Sequence, residues 1–293
     1  MKHENIRGVR AVAAAVATLV ALGAPAGAQT AYFLEPSTFT SRVGEEVRFG
    51  LVAGGPAPDA IAVPTPWPAA IKWLFIRSGG AQDNRYEITP VGDGAESRVA
   101  LTMPAAGCAM IGVDFQPEVI VLTGEQFAGV LAARTGVTPD EALPSRAQVR
   151  VRHVRSAKAL VRVAHVGDAP EAFVDAATAV SKSGQAVEIR PFNDPTRIAP
   201  GGDLPMRMYI GGDAFGKPRV RGTHAASGAS SEPVPASTPS LPVTAAGPWR
   251  VEFHHAAPLT NDPDADWAFY TSTLIFSAPE KAPGPQANEG DAR

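Results

Sequence analysis

His254 and His255 close the run Trp249-Arg-Val-Glu-Phe-His-His, and Asp262, Asp264 and Asp266 follow at alternate positions with Asn261 beside them. Imidazole nitrogens suit nickel, cobalt, copper or zinc, whereas carboxylates suit harder cations. On a strand, adjacent side chains point to opposite faces, so one site recruits only one of the two histidines with ease. The metal set that follows is His255 with Asp264 or Asp266, with His254 as the alternative imidazole. A second reading stays open: ordinary surface or hydrogen-bonded core histidines, and a solvated acidic turn leading into a strand. The aspartate alternation matches the opening of an EF-hand loop, but Trp267 stands where that loop needs glycine and Thr273 where it needs glutamate. An EF-hand is therefore excluded.

Other motifs thin out in the same way. Gly211 to Lys217 matches the first seven positions of a phosphate-cradling loop, yet Pro218 replaces the hydroxyl that would hold magnesium and removes a backbone donor, which leaves a hairpin turn. Arg146, Arg150, Arg152 and Arg155 form a basic cluster. Their paired donors suit an anionic partner, while a charged helix face or ion pairs between domains explain them as well. Cys108, the one cysteine, lies in the apolar run GCAMIGVDF and reads as an inert core thiol. The chain has no Gly-x-Ser-x-Gly, His-Glu-x-x-His, Ser-x-x-Lys or Cys-x-x-Cys motif and no dinucleotide glycine fingerprint, so the reading is non-catalytic.

The elements that must position these groups read as β-structure. Lys2, Arg7 and Arg10, the apolar stretch from Ala11 to Leu22 and the small residues Ala26-Gly27-Ala28 have the order of a secretory signal, with cleavage expected after Ala28 and the mature chain in a bacterial periplasm. The apolar stretch is well short of the roughly 20 residues that cross a bilayer, so no membrane span is expected in the mature chain. Removing the leader's three cationic side chains and its one anionic side chain takes the formal net charge from −3 to −5, which argues against a nucleic-acid partner. Short alternating runs then follow, among them AYFLE, EVRFGLVA, IKWLFIR, RYEITPV, SRVALTM, CAMIGVDF and EVIVL. Phe127, Val130 and Leu131 fall at helical spacing before Gly136, and Thr138 with Pro139 and Glu141 predicts a second, short helix before Pro144. Strands resume from Ala157. The expected organisation is all-β: an N-terminal sandwich over 29–123, a helical connecting segment over 124–156, and a C-terminal sandwich over 157–278. A mobile Ser/Pro-rich loop is expected over 225–242 and a disordered tail over 279–293.

Several segments together carry a family resemblance: YFLEPSTFTSRVGEEVRFGLVAGG, PEVIVLTGEQFAGVLAARTGV, RSAKALVRV, VEIRPFNDPTRIAPGGDLPMRMYIGG and DPDADWAFYTSTLIF. In that order the chain resembles the exported bacterial family known as domain of unknown function 4198, some of whose members carry a NikM-like nickel-uptake label. The resemblance implies two immunoglobulin-like β-sandwich domains and an accessory role in metal or TonB-dependent uptake, with nickel or cobalt as the metal. The partner it implies is an uptake transporter or outer-membrane receptor. It matches Glu35 and Pro36 to the family's opening Leu-Glu-Pro, Lys158 to its Ala-Lys-Ala-Leu strand, and Asn193, Asp194 and Pro195 to its Asn-Asp-Pro turn. His255 matches its late histidine, and Asp266 and Trp267 its Asp-Trp pair. Two features depart from it: Gln29-Thr30-Ala31 lacks the family's early histidine, and 225–242 replaces a hairpin. The favoured expectation is a periplasmic, non-catalytic binding or accessory protein. The competing one is an immunoglobulin-like module that docks on an envelope protein or carbohydrate without metal.

Overall fold

Wherever apolar and polar residues alternate in the described chain, strand is found. The structure, a computed structural model, describes residues 31–53, 61–62, 70–85, 98–167 and 177–280. The leader expected over 1–28, the RYEITPV strand beyond Arg85 and the tail beyond Glu280 lie outside the described residues. In chain order the strands are β1 (Tyr32–Pro36), β2 (Thr40–Arg42), β3 (Glu46–Ala53), β4 (Ile61–Ala62), β5 (Ile71–Ser78), β6 (Ala81–Arg85), β7 (Val99–Thr102), β8 (Gly107–Phe115) and β9 (Glu118–Leu122). After the short helix α1 (Gly124–Val130) come β10 (Val149–Ala164), β11 (Val187–Pro191), β12 (Gly202–Ile210), β13 (Asp213–Ala214), β14 (Val220–His224), β15 (Ser230–Ser231), β16 (Ser240–Val243), β17 (Gly247–Pro258) and β18 (Trp267–Ala278). The described chain is thus mostly β-strand with one short helix.

The strands form three sheets. The largest has ten strands in the order β15-β14-β17-β18-β10-β8-β5-β6, with β2 and β9 also paired to β10. A four-stranded sheet runs β1-β3-β4 with β7 on β3, and another runs β11-β12-β13 with β16 on β12. Alternate residues of β5, β8 and β10 enter different cores. Leu74, Ile76, Ala109, Ile111, Val113, Val161 and Val163 join Leu34, Phe49 and Leu101 in the first. Phe75, Cys108, Met110 and Leu160 join Ile189, Met206, Trp249 and Phe276 in the second. Strands covered on both sides lose the wet face that alternation would need, which is why every residue of β8 is buried. Where one face stays wet the alternation is plain: Val47 and Phe49 are buried in β3, while Glu46 and Arg48 are exposed.

The connecting segment corrects the sequence reading. Helix α1 starts at a capping box formed by Thr123 and Gln126, continues as a π-helical turn over Leu131–Thr135 and stops at Gly136, whose φ of 67° suits glycine. The second helix is absent: residues 141–145 form turns and a bend, because Asp140 bonds its own local backbone and Pro144 withholds a donor. Residues 149–156, expected to belong to the connector, are the first half of β10, so the boundary at 156 falls inside a strand. Two hydrophobic cores share the ten-stranded sheet. The segment 225–242 is also more structured than its composition suggests. It contains β15 and the start of β16, and Leu241 is fully buried over Gly222, where an added Cβ would lie 2.4 Å from the leucine side chain.

A polar joint sits beside the shared strands. Lys158 Nζ of β10 donates to Glu188 Oε1 of β11 at 3.1 Å, with both side chains essentially inaccessible. Burial pushes Glu188 up, but the Lys158 ammonium and the Ser183 backbone N–H outweigh it and hold the carboxyl below its ordinary value. Nearby, Asp114 accepts from Ser156 Oγ, Trp73 Nε1 and the Ala186 N–H, and Gln185 Nε2 donates to the Val113 and Ala157 carbonyls. Residues 183–188 are in this way fastened to β8 and β10. Removing one partner of such a pair strands the other charge, which costs about 3–5 kcal/mol. Lys158→Met is therefore expected to lower the urea unfolding free energy by that amount, and Lys158→Met with Glu188→Gln to recover much of the loss. Equal losses in the single and double variants would contradict the pairing.

Candidate functional site

The β17–β18 hairpin carries the residues the sequence singles out. His255 pairs with Tyr270 across the ladder, and Pro258 pairs with Trp267 three positions further on. Asp266, one residue beyond Trp267, thus lies about 13 Å along the strand from His255 at the usual rise per residue. His255 is half-buried against Phe215, with ring centroids 4.4 Å apart, and burial lowers its pKa. His254 points to the opposite face and is buried. Its Nε2 meets Glu252 Oε2 at 3.2 Å and its Nδ1 meets Thr271 Oγ1 at 3.2 Å.

The acidic turn is held by the basic cluster. Asp266 takes a fork from Arg150, with Nη2 to Oδ1 at 3.0 Å and the backbone N–H to Oδ2 at 2.8 Å. These bonds hold its carboxyl below the usual range. Asp262 pairs with Arg152 at 2.8 Å and also accepts from the N–H groups of Asp264 and Ala265. Asp264 is exposed, 3.7 Å from Arg152. Arg155 pairs with Glu118 at 2.6 Å and stacks over Tyr32. Ion pairs along β10, and not a helix face, therefore account for these arginines.

The structure does not bring the expected metal donors together. Both nitrogens of His254 and both oxygens of Asp266 already have partners, and His255 is separated from them. Among the described residues no three His, Cys, Asp or Glu side chains converge to hold a metal. Nickel or cobalt titrated into the protein is expected to bind no tighter than about 1 mM by calorimetry. His255→Ala should leave that baseline unchanged, whereas micromolar binding abolished by this substitution would reinstate the site.

The other positions behind the family resemblance also turn out to be fasteners. Glu35 pairs with Arg250 at 3.1 Å. Asp194 caps the short 3-10 turn Pro195–Arg197 through the N–H and hydroxyl of Thr196. Trp267 packs edge-on against Phe127 of α1.

A polar cleft that the sequence did not announce lies on the other side of the hairpin. Arg134, Arg219, Arg221, Glu232, Glu252 and His254 line it together with Ala133 and Val220. Glu232 takes Arg219 at 2.7 Å and Arg221 at 2.5 Å, and Glu252 takes Arg134, Arg221 and His254. These partners come from α1's continuation, β14, β17 and the segment after β15, so only the alternation of Glu252 with His254 was visible in the sequence. Behind the cleft, Thr271 Oγ1 also meets His153 Nε2 at 3.0 Å.

No family model matches the chain, and no curated protein matches it. Among solved structures it is similar to fibronectin(III)-like modules of CbhA from Clostridium thermocellum, at 10% identity over 88% of this chain and 100% of that one, with a TM-score of 0.18. It is also similar to the N-terminal four Ig domains of Dscam1 isoform 4.4, at 8% identity over 80% of this chain and 41% of that one, with a TM-score of 0.15. Overlaps of this size carry no argument about the chain.

Thr271 Oγ1 lies between two imidazoles, with His254 Nδ1 at 3.2 Å and His153 Nε2 at 3.0 Å. Among the described residues His153 Nδ1 is buried and has no hydrogen-bond partner. Burial first, then the charges of Arg155 and His254, lower the His153 pKa from 6.5 to about 3. The unfolded chain therefore takes up this proton before the fold does. Stability is unaffected by it above pH 6.5 and falls as the pH drops from 6.5 toward 3, by about 1.4 kcal/mol per unit. Urea midpoints of the wild type should fall more steeply from pH 7 to pH 5 than those of His153→Gln. Parallel slopes would show that His153 is not the group responsible.

Proposed function

We propose that the chain is a non-catalytic accessory protein of the bacterial envelope, built as two immunoglobulin-like sandwiches that share a sheet, and that it works by docking onto another envelope protein. The leader-like residues 1–28 support residence in the periplasm, where an uptake transporter or outer-membrane receptor is the partner class. The side chains with chemical potential are engaged inside the fold, as the Arg150–Asp266 and Glu252–His254 pairs illustrate.

Strand β9 is the observation that carries this reading. Among the described residues β9 pairs only with β10, so its second row of backbone donors and acceptors stays open. Val119 and Val121 are 43% and 54% exposed on one face of it. Lysine, proline or a bulge usually blunts such an edge, and none of these occurs between Glu118 and Leu122. An extended segment of a partner is able to add to this edge through main-chain bonds while the valines take its apolar side chains.

Crosslinking in cells followed by mass spectrometry tests the proposal. One envelope protein should be enriched with the wild type and lost with Val119→Lys/Val121→Lys, because edge lysines oppose strand addition. Recovery of the same abundant bystanders from both proteins would overturn it.

A further inference from the structure

We propose that the outward face of β11 and β12 binds an acidic, uronate-bearing polysaccharide through Arg190, Arg207 and Phe192. This rests on reading the chain as an interaction module, but it uses a surface separate from β9.

Arg190 and Arg207 are direct cross-strand partners in the β11–β12 ladder. Like charges in that relation repel, and a fold keeps them together at a cost unless something anionic lies between them. Arg150, Arg152, Arg155 and Arg219 are each matched with a carboxylate. Here, among the described residues, neither arginine has an ion pair. Arg190 Nε donates to the Val180 carbonyl at 2.7 Å, which anchors the stem and fixes the direction of the guanidinium. The Arg207 guanidinium has the Phe192 ring as its neighbour.

Phe192 stands between them, 37% exposed, on a surface where a phenylalanine gains nothing from water. Both guanidinium carbons lie 5.6 Å from the centroid of its ring. The two cations therefore border one aromatic ring and, as cross-strand partners, share one stretch of surface.

The positive character extends along the same face. Lys182 lies over the Tyr209 ring at 4.0 Å and donates to the Gly212 carbonyl. Arg77 holds the backbone of this segment through Ser181 Oγ and the Lys182 carbonyl. Glu188, the carboxylate of β11 on this face, is buried with Lys158, and Asp203, the exposed one on β12, is four residues from Arg207. Since the whole chain is formally acidic, the patch is a local feature and not a general excess of base.

Charge complementarity calls for a carboxylate, which the forked donors of arginine grip in pairs. An aromatic ring beside two forks suits a partner whose carboxylate is fixed to a ring with an apolar face, as in a uronic acid. An acidic peptide carries its carboxylates on flexible stems and loses rotamer freedom on binding. A linear polymer laid along the strand pair is able to engage Lys182 with a second carboxylate.

The test is calorimetric titration of the purified protein with polygalacturonate, with neutral dextran and polyglutamate in parallel arms. Saturable binding to polygalacturonate alone is expected, weakening as salt is raised. Arg190→Gln/Arg207→Gln should weaken it by about tenfold or more, the loss of one good paired contact. Phe192→Ala should weaken it to a smaller extent. Arg42→Gln/Arg48→Gln, which removes the same charge from β2 and β3, should leave it unchanged. Thermal melting shows that the variants fold, and neutralising the facing arginines is expected to hold or raise the midpoint.

Equal binding of polyglutamate would overturn the carbohydrate assignment. No binding of polygalacturonate, or binding equally reduced by Arg42→Gln/Arg48→Gln, would overturn the site. In either case partner capture that still depends on Val119 and Val121 would leave the docking reading intact.

Discussion

Strand β10 has apolar residues to bury on both of its faces, and the rest of the fold follows from satisfying that demand. Ala157, Ala159, Val161 and Val163 need cover on one side, and Leu160 needs it on the other. The β1-β3-β4 sheet supplies the first cover and the β11-β12 sheet the second. The strand is also paired along both edges for much of its length, to β18 and β2 on one and to β9 and β8 on the other. A lysine in the middle of such a strand is tolerable only with a charged partner in place, and Glu188 on β11 is that partner. The pair makes docking of the β11 segment a condition for burying β10 at all.

The groups that first suggest chemistry are mostly the fasteners of this arrangement. Arg150 and Arg152 clamp the acidic turn that leads into β18, Arg155 ties β9 to the Tyr32 ring of β1, and Arg250 joins β17 to Glu35. Each bond spans elements distant in the chain. An aspartate forked by an arginine is a poor metal ligand, because the ion would have to displace a bond that is already charge-assisted. The pattern of residue types that invites a metal reading is the same pattern that closes a hairpin against its neighbour strand. Arg190 and Arg207 differ from all of these in lacking a carboxylate, which is what sets the β11–β12 face apart.

Much of the fold was legible in the sequence because burial leaves a period. The alternation of β3 and the unbroken apolar run of β8 each state how many of their faces are covered, and Phe127, Val130 and Leu131 mark the buried side of α1. The start of β10 was misread although its period was present. Val149, Val151 and His153 face inward between Arg150, Arg152 and Val154, and the arginines drew attention as a charge cluster instead. The segment around β16 was hidden by averaging, since Leu241 and Val243 are two core residues in a stretch of Ser, Pro and Thr. The cleft at Glu252 and His254 was out of reach altogether, because Arg134 and Arg221 arrive from elements that only the tertiary structure brings near.

The pairing of β10 with β18 joins residues 151–159 to residues 267–275 in parallel. Such a contact closes a very long loop before it returns any burial energy, which makes for slow folding. Ile275 completes one core and Leu274, Phe276 and Ala278 complete the other. Neither can be finished on the ribosome until the last strand has been synthesised. Truncation near the carboxyl end therefore takes residues from both cores at once.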